Sequence, residues 1–481
     1  MSTVIIILLI LYLSFLLITI YHILDTHRDP VGAVAWIFSV IIFPFGGMII
    51  YFFFGWTRFH RKVARYKKSG KIINQIFLQT DKKNSKENID NTVRIYKKVI
   101  KSHFLLDSLN QNIPTYGNDV NFLLGGDEAY MAMLDEIRKA ESNICMQYYI
   151  FSDDNIGREF SDALKKKQAE GVQVRILYDP IGSIKTKKKF WNDLRRAGIK
   201  VYSFGSLNLL KRKFRINFRC HRKNLIIDGK TAFCGGINIY DQNIKKYCPQ
   251  KKNQIRDYHF IIRGPAVQDF QAVFSDDWFF ITGEKLNGNE FFKQNPAVGE
   301  NIIRVINSGP ANNHRVFSFE LLGAIMHAEK KIKIITPYFY PEPEILSALK
   351  YASLAGLEVS IIIPKKNEHK IVEYASQSLY QELLECSINI YERKPPFIHT
   401  KSFIIDDEWA ILGSGNLDYI SLRLNYELCF EVIGGSIIKK LTEMFEIEKN
   451  HSIKISQLHI LKYGKFRILR NNFCALFAPI L

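Results

Sequence analysis

Two stretches decide how this chain is to be read: CHRKNLIIDGKTAFCGGIN at residues 220–238 and IHTKSFIIDDEWAILGSGN at residues 398–416. In each, a lysine follows a histidine by two positions, an aspartate by seven, a glycine by 14 and an asparagine by 17. The histidines are 178 residues apart, about one domain length. The flanking segments repeat in the same order. AESNICMQYYIF (140–151) corresponds to AEKKIKIITPYFY (328–340), and EGVQVRILYD (170–179) to AGLEVSIIIP (355–364). An internal duplication is the economical account.

Within a copy, strand and helix patterns alternate. Residues 143–151 read as a buried strand, 157–171 as an amphipathic helix closed by Gly171, and 172–179 as the next strand. This is the α/β class. Read as a strand, HRKNLIID puts His221 and Lys223 on one face, and the second copy does the same with His399 and Lys401. Asp228 has the opposite parity and precedes Gly229, a hairpin-turn signal. Asp228, and Asp406 in DDE, are therefore expected to hold turns.

The residue types fit a phosphodiester. Lysine is a point charge for phosphate oxygens, asparagine adds neutral donors, and histidine serves as nucleophile or as acid and base near neutral pH. A displacement at phosphorus needs one histidine to attack and another to protonate the leaving alcohol. Each element supplies only one. Two copies converging on a single pocket, with Lys223, Lys401, Asn238 and Asn416 around the phosphate, would supply both. Protonated lysine is no metal ligand, and acidic or thiolate partners at ligand spacings are missing nearby, so no metal or other cofactor is expected.

Composition sets the surroundings. The formal net charge is +19, which implies an anionic partner, nucleic acid or membrane surface. Seven cysteines, with no C-x-x-C pair, argue for free thiols in a reducing compartment rather than a disulfide framework. Residues 3–24 are almost wholly apolar and exceed the roughly 20 residues that cross a bilayer. They lack a basic start and a small-residue cleavage site, which disfavours a signal peptide. After DTHRDP, a second apolar run covers 31–55, with Trp36 and Tyr51 as interfacial anchors. Arg58, Arg61, Lys62, Arg65, Lys67, Lys68 and Lys71 then crowd together, whereas the connection between the runs holds only Arg28. The positive-inside rule places the N-terminus and the large body in the cytoplasm. Residues 72–118 read as a polar linker containing a helix. Residues 207–219, LNLLKRKFRINFR, interleave apolar and basic residues ahead of His221 and read as an interfacial segment or a charged surface loop.

The paired H-x-K-x4-D elements with their trailing GGIN and GSGN resemble the phospholipase D superfamily. The apolar N-terminal pair with RDP, AW and PFGG resembles the bacterial cardiolipin synthases within it, as do YDPIGS (178–183), TPYFYPEPE (336–344) and GSGNLDYISLRLNYEL (413–428). The resemblance covers essentially the whole chain. It implies two phospholipase D-like α/β/α sandwich lobes, at 119–297 and 298–481, in a pseudo-twofold body. A two-helix transmembrane hairpin (1–56) and a basic juxtamembrane segment and linker (57–118) would precede them. It implies a multi-pass enzyme of the bacterial cell membrane that joins two phosphatidylglycerol molecules into cardiolipin and glycerol through a phosphatidyl-histidine, with anionic membrane lipid as partner and no nucleic acid. By motif position His221 would attack and His399 would act as acid and then base, although the symmetry of the halves leaves the order open. Asp257 and Glu427 would orient the histidines. The motif also counts Asp228 and Asp406 among its catalytic residues, which leaves open whether they enter the site or only hold turns. Two departures stand out: Ile420 replaces an arginine of the family pattern, and Cys386 stands where the family tends to have glycine. Phosphodiester hydrolysis by water and a catalytically inert scaffold are the competing readings.

Overall fold

The structure, a computed structural model, describes residues 2–26, 30–43, 45–51, 86–109, 112–205, 219–310 and 315–477. The basic cluster at 58–71 and residues 207–218 lie outside the described residues.

The chain divides into two units, 1–65 and 66–481. In the first, Ser2–Thr26 is one continuous helix, and its stretch Ile5–Asp25 is long and apolar enough to cross a membrane. The second apolar run differs from the expected continuous span. It forms a helix over Pro30–Ile42, breaks, and resumes over Gly46–Ile50. Proline disfavours a helical residue before it, and the first helix ends two residues ahead of Pro44. The short helix then packs closely on the longer one: a Cβ at Gly47 would lie 2.2 Å from the Ser39 carbonyl oxygen. Among the described residues, one helix meets the length and apolarity needed to span a bilayer.

In the second unit, the first lobe contributes β1 (Thr115–Leu124), β2 (Asn143–Tyr148), β3 (Gln173–Tyr178), β4 (Lys200–Ser203), β5 (Asn224–Ile227), β6 (Thr231–Gly235), β7 (Ile255–Arg256) and β8 (Tyr258–Arg263). The second lobe contributes β9 (Asn301–Ser308), β10 (Lys331–Ile335), β11 (Phe339–Tyr340), β12 (Glu358–Pro364), β13 (Asn389–Arg393), β14 (Phe397–Ile398), β15 (Ser402–Ile405), β16 (Trp409–Gly413), β17 (Leu417–Asp418), β18 (Glu427–Ile433) and β19 (Ser452–Lys454). Fifteen of these form one sheet in the order β19-β13-β12-β10-β15-β16-β18-β9-β1-β8-β6-β5-β2-β3-β4. Reading outward from the β9–β1 seam, β18 answers β8, β16 answers β6, β15 answers β5, β10 answers β2 and β12 answers β3. The duplication thus becomes a pseudo-twofold axis through the seam. There, Asn118 and Asn301 each donate from Nδ2 to the other's carbonyl oxygen, at 3.3 and 2.9 Å.

Alternation along the strands loads both faces. Cys145, Leu177, Ile226 and Ile335, Ile362, Ile404 point into a core shared by the lobes, covered by helices Val267–Thr282 and Gly435–Asn450. Ile144, Met146 and Ile176 face a core under the helices Gly125–Lys139, Asn155–Ala169 and Lys188–Arg196. The second lobe's outer core takes in Tyr96, Ile100 and Leu106 from the segment read above as linker. Helix Lys86–Val99 and helix His103–Ser108 therefore fold onto the second lobe, and the body's first strand starts at Thr115.

The β5–β6 and β15–β16 hairpins carry the turns expected at Asp228 and Asp406, which take left-handed φ of 53° and 56°. The left-handed residue near the second departure is Ser387 (φ 64°), not Cys386 (φ −88°). Cys386 sits at the end of helix Tyr380–Glu385, and the conformation that favours glycine falls one residue later.

Candidate active site

His221 and Lys223 precede β5 rather than lying in it. Cys220 bridges in parallel to Tyr426 of the second lobe, and the His221 amide donates to the Tyr426 carbonyl at 3.0 Å. The second copy mirrors this: β14 pairs with β7, and the His399 amide donates to the Arg256 carbonyl at 2.8 Å. In each case the bridge ends one residue before an acid of the opposite lobe. The acids are thereby exchanged. His221 Nδ1 lies 3.0 Å from both carboxylate oxygens of Glu427, and His399 Nδ1 lies 2.7 Å from Asp257 Oδ2. With a carboxylate at Nδ1, that nitrogen is the N–H donor, and each Nε2 presents a lone pair.

The surroundings of the acids differ between lobes. Ser414 Oγ donates to Glu427 Oε2 at 2.5 Å. At the matching position stands Gly236, where a Cβ would lie 2.3 Å from Asp257 Oδ1. Ser414 was not singled out in the sequence; its signal is its place opposite Gly236 in the repeat. Arg222, between His221 and Lys223, is wholly buried. It donates to Asp277 of its own lobe and to Asn307, Ser308 O and Glu427 O of the other, which clamps the lobes beside the site.

Both histidines and both asparagines open on one cavity of about 570 Å³, together with Tyr149, Tyr338, Arg219, Glu368, His369, Asp418 and Ile420. Equivalent tyrosines meet the two rings edge-on: Tyr149 at 5.1 Å from His221 and Tyr338 at 6.2 Å from His399. Asn238 Oδ1 accepts from the Ile150 amide at 3.1 Å, and Asn416 lines the cavity with Asp418. Ile420, the departure from the family pattern, is part of the cavity wall. Lys401 Nζ lies 3.0 Å from His399 Nε2, while Lys223 Nζ donates to the His221 carbonyl oxygen.

Burial dominates the electrostatics. It lowers His221 to about 4 despite Glu427, and His399 to about 3, with Lys401 adding to the fall. Both rings are neutral at pH 7. Burial and the neighbouring Lys401 lower Lys223 to about 7; burial lowers Lys401 to about 8. Burial also works against Glu427, but His221, Lys223 and Ser414 hold its carboxyl below the usual range. Burial raises Asp418 to about 6. The cavity wall itself carries Glu368 and Asp418; Lys223 and Lys401 are not part of it but stand against the two histidine residues, where an arriving anion would stabilise their charged forms.

Asp228 and Asp406 are elsewhere. Asp228 accepts from the amides of Glu141, Ser142 and Asn143 at 2.7–2.9 Å, and Asp406 from those of Glu329, Lys330 and Lys331 over the same distances. Neither lines the cavity. Each ties a hairpin turn to the strand beside it, as parity indicates, and this corrects the motif-based grouping with the catalytic residues. Among the described residues, no three His, Cys, Asp or Glu side chains are grouped as a metal site.

The family model described as "Cardiolipin synthase, PLD-like domain" matches residues 133–278 and 321–448, more than half of the chain. The chain belongs to the cardiolipin synthase family. A second model, "Phospholipase_D-nuclease N-terminal", matches residues 5–56. Cardiolipin synthase 2 of Bacillus anthracis is 35% identical over 446 residues, covering 92% of this chain and 85% of that protein. The cardiolipin synthase of Geobacillus thermodenitrificans is 32% identical over 463 residues, covering 95% and 90%. The crystal structure of phosphatidylserine synthase from Haemophilus influenzae shares the fold, with a TM-score of 0.59 at 14% identity over 79% of this chain and 100% of that one. As a member of the cardiolipin synthase family, with a PLD-like catalytic domain, this chain is an enzyme.

Proposed function

We propose that this enzyme is a membrane-bound phosphatidyltransferase that converts two phosphatidylglycerol molecules into cardiolipin and glycerol. The observation that carries the reading is the pair of neutral histidines on one cavity, each oriented by the other lobe's carboxylate, with two lysines beside them.

In the proposed sequence His221 Nε2 attacks the phosphorus of the first lipid. The P–N bond forms as the P–O bond to glycerol breaks, and the departing oxygen takes a proton that Lys401 Nζ, 3.0 Å from His399 Nε2, passes through that ring. His399 then takes the proton from the terminal hydroxyl of the second phosphatidylglycerol and returns it to Lys401. That oxygen attacks phosphorus, the P–N bond breaks, and cardiolipin leaves with His221 regenerated. Glu427 and Asp257 hold the imidazolium forms. Lys223, Lys401, Asn238 and Asn416 balance the charge on the phosphoryl oxygens. The sequence of steps calls on no nucleotide or metal.

The Ser2–Thr26 helix suits a membrane anchor, the apolar helices Pro30–Ile42 and Gly46–Ile50 would make the return, and the basic cluster that follows them in sequence supports a body in the cytoplasm. A C-terminal reporter found on the outer face would overturn that orientation. The reaction is tested by incubating purified protein with labelled phosphatidylglycerol and identifying the products. Cardiolipin with glycerol is expected. Phosphatidic acid alone would make the enzyme a hydrolase, and no product would leave a scaffold.

A further inference from the structure

The last helix of the described chain is turned inside out. Over Lys465–Ala475 its inward face is polar or sulfur-bearing, and its outward face is apolar. Asn471 and Cys474 are buried, at 2% and 8% exposure. Arg467 donates to Gln377 at 3.1 Å, and Arg470 stacks 3.6 Å above the Tyr374 ring. Both partners belong to helix Lys370–Ser378. On the opposite side, Phe466 is 81% exposed, Leu469 68%, Phe473 58% and Leu476 74%. The spacing 466, 469, 473, 476 is one helical stripe. Leu458 and Leu461, on the preceding short helix, are also exposed, at 70% and 79%. An apolar patch of this extent has a partner.

Charge selects the partner. Residues 457–477 contain Lys462, Lys465, Arg467 and Arg470 and no aspartate or glutamate. Lys462 and Lys465 are exposed beside the stripe. A basic helix presenting Phe and Leu outward is the composition that lies in an anionic membrane interface. Position agrees: the helix that holds Arg467 and Arg470 also supplies Lys370, Ile371, Val372 and Ala375 to the cavity wall.

We infer that the stripe Phe466, Leu469, Phe473 and Leu476 seats in the surface of an anionic bilayer and fixes the cavity mouth against it, so that a headgroup enters while its acyl chains stay in lipid. The inference rests on the phospholipid reading of the site, but the contact can be measured without the reaction.

The full-length chain is reconstituted in phosphatidylglycerol-containing vesicles with and without brominated acyl chains. Leu469→Trp should gain emission that the brominated lipid quenches beyond the quenching of the parent protein. Absence of that extra quenching overturns the inference, and cross-linking between copies at the same position would then give the stripe to a second chain. The triple variant Phe466→Ser, Leu469→Ser, Phe473→Ser and the charge reversal Lys462→Glu, Lys465→Glu should each lower turnover of long-chain phosphatidylglycerol in vesicles roughly 10-fold, and leave turnover of dissolved dihexanoyl phosphatidylglycerol unchanged. Undiminished turnover in vesicles by both variants also overturns it. Quenching in Leu469→Trp, together with a wild-type protein that makes no cardiolipin, would keep the membrane surface and discard the reaction.

Discussion

The carboxylate of Glu427, in the second lobe, holds Nδ1 of His221, in the first, at 3.0 Å. Asp257 does the reverse for His399 at 2.7 Å. Glu427→Gln keeps the volume but removes the charge that fixes the tautomer and steadies the imidazolium. By comparison with acid-to-amide changes beside other catalytic histidines, kcat should fall roughly 10²–10⁴-fold with KM little changed. Asp257→Asn should do the same. Steady-state kinetics with labelled phosphatidylglycerol checks both, and wild-type kcat in either variant would remove that acid from the mechanism.

The two acids should respond differently to change nearby. Gly236→Ala places a methyl 2.3 Å from Asp257 Oδ1, so the carboxylate must leave His399. Ser414→Ala deletes only one hydrogen bond to Glu427. A hydrogen bond to a charged group contributes about 1.5–3 kcal/mol, so Ser414→Ala should cost about 10- to 100-fold in kcat at most, and Gly236→Ala more. The ratio of the two rates, at equal folded content by circular dichroism, is the measurement.

Lys223 and Lys401, lowered to about 7 and 8, are partly deprotonated in the free enzyme above neutrality. A bound anion raises both, so binding of inorganic phosphate or vanadate should take up protons between about pH 7 and 9. At pH 6 both lysines already carry charge and uptake should vanish. Titration calorimetry in buffers of different ionisation enthalpy reads the proton count directly. Proton release on binding would contradict the assignment, and Lys223→Met should reduce the uptake.

The histidines are lowered to about 4 and 3 in the folded protein, against 6.5 for the free side chain. The unfolded chain therefore binds more protons than the folded one below pH 6.5. This contribution to stability is complete above pH 6.5 and is lost as pH falls toward 4 and then 3. Chemical denaturation of the detergent-solubilised chain should show a midpoint declining across that window, with a shallower slope in His221→Asn, His399→Asn. Turnover should fall over the same range, because a protonated Nε2 has no lone pair for phosphorus.

Asp228→Ala and Asp406→Ala each strip the acceptor from three backbone amides. Unpaired amides at such positions cost about 1–3 kcal/mol. Both variants should unfold at lower denaturant while kcat of the folded enzyme stays within about twofold of wild type. A large kcat loss without a stability loss would return these aspartates to the chemistry.

The duplicated spacing made the site residues legible, because His221, Lys223 and Asn238 recur as His399, Lys401 and Asn416 at equal intervals. The parity of Asp228 and the Asp-Gly turn were likewise local signals. The exchange of acids was not local. It depends on β7 and β14, two residues each and too short to leave a periodic pattern, and on a bridge between Cys220 and Tyr426. HRKNLIID read as one strand for the same reason, since its first residues pair with a segment some 200 positions away. The helices at 86–108 looked polar because few of their apolar residues, Tyr96 and Leu106 among them, turn inward. The break before Gly46 showed itself as Pro44, which a membrane reading was willing to tolerate. The outward stripe of the last helix was invisible, because an amphipathic pattern does not say which side the body will cover.

Arg222 spans the lobes through Asp277 on one side and Asn307, Ser308 and Glu427 on the other. With the acids traded across the same boundary, a severed half would own a nucleophile with nothing to steer it and a carboxylate with nothing to steer. Any agent that wedges the halves apart would disarm both rings in one motion, far from the phosphate and without resembling it.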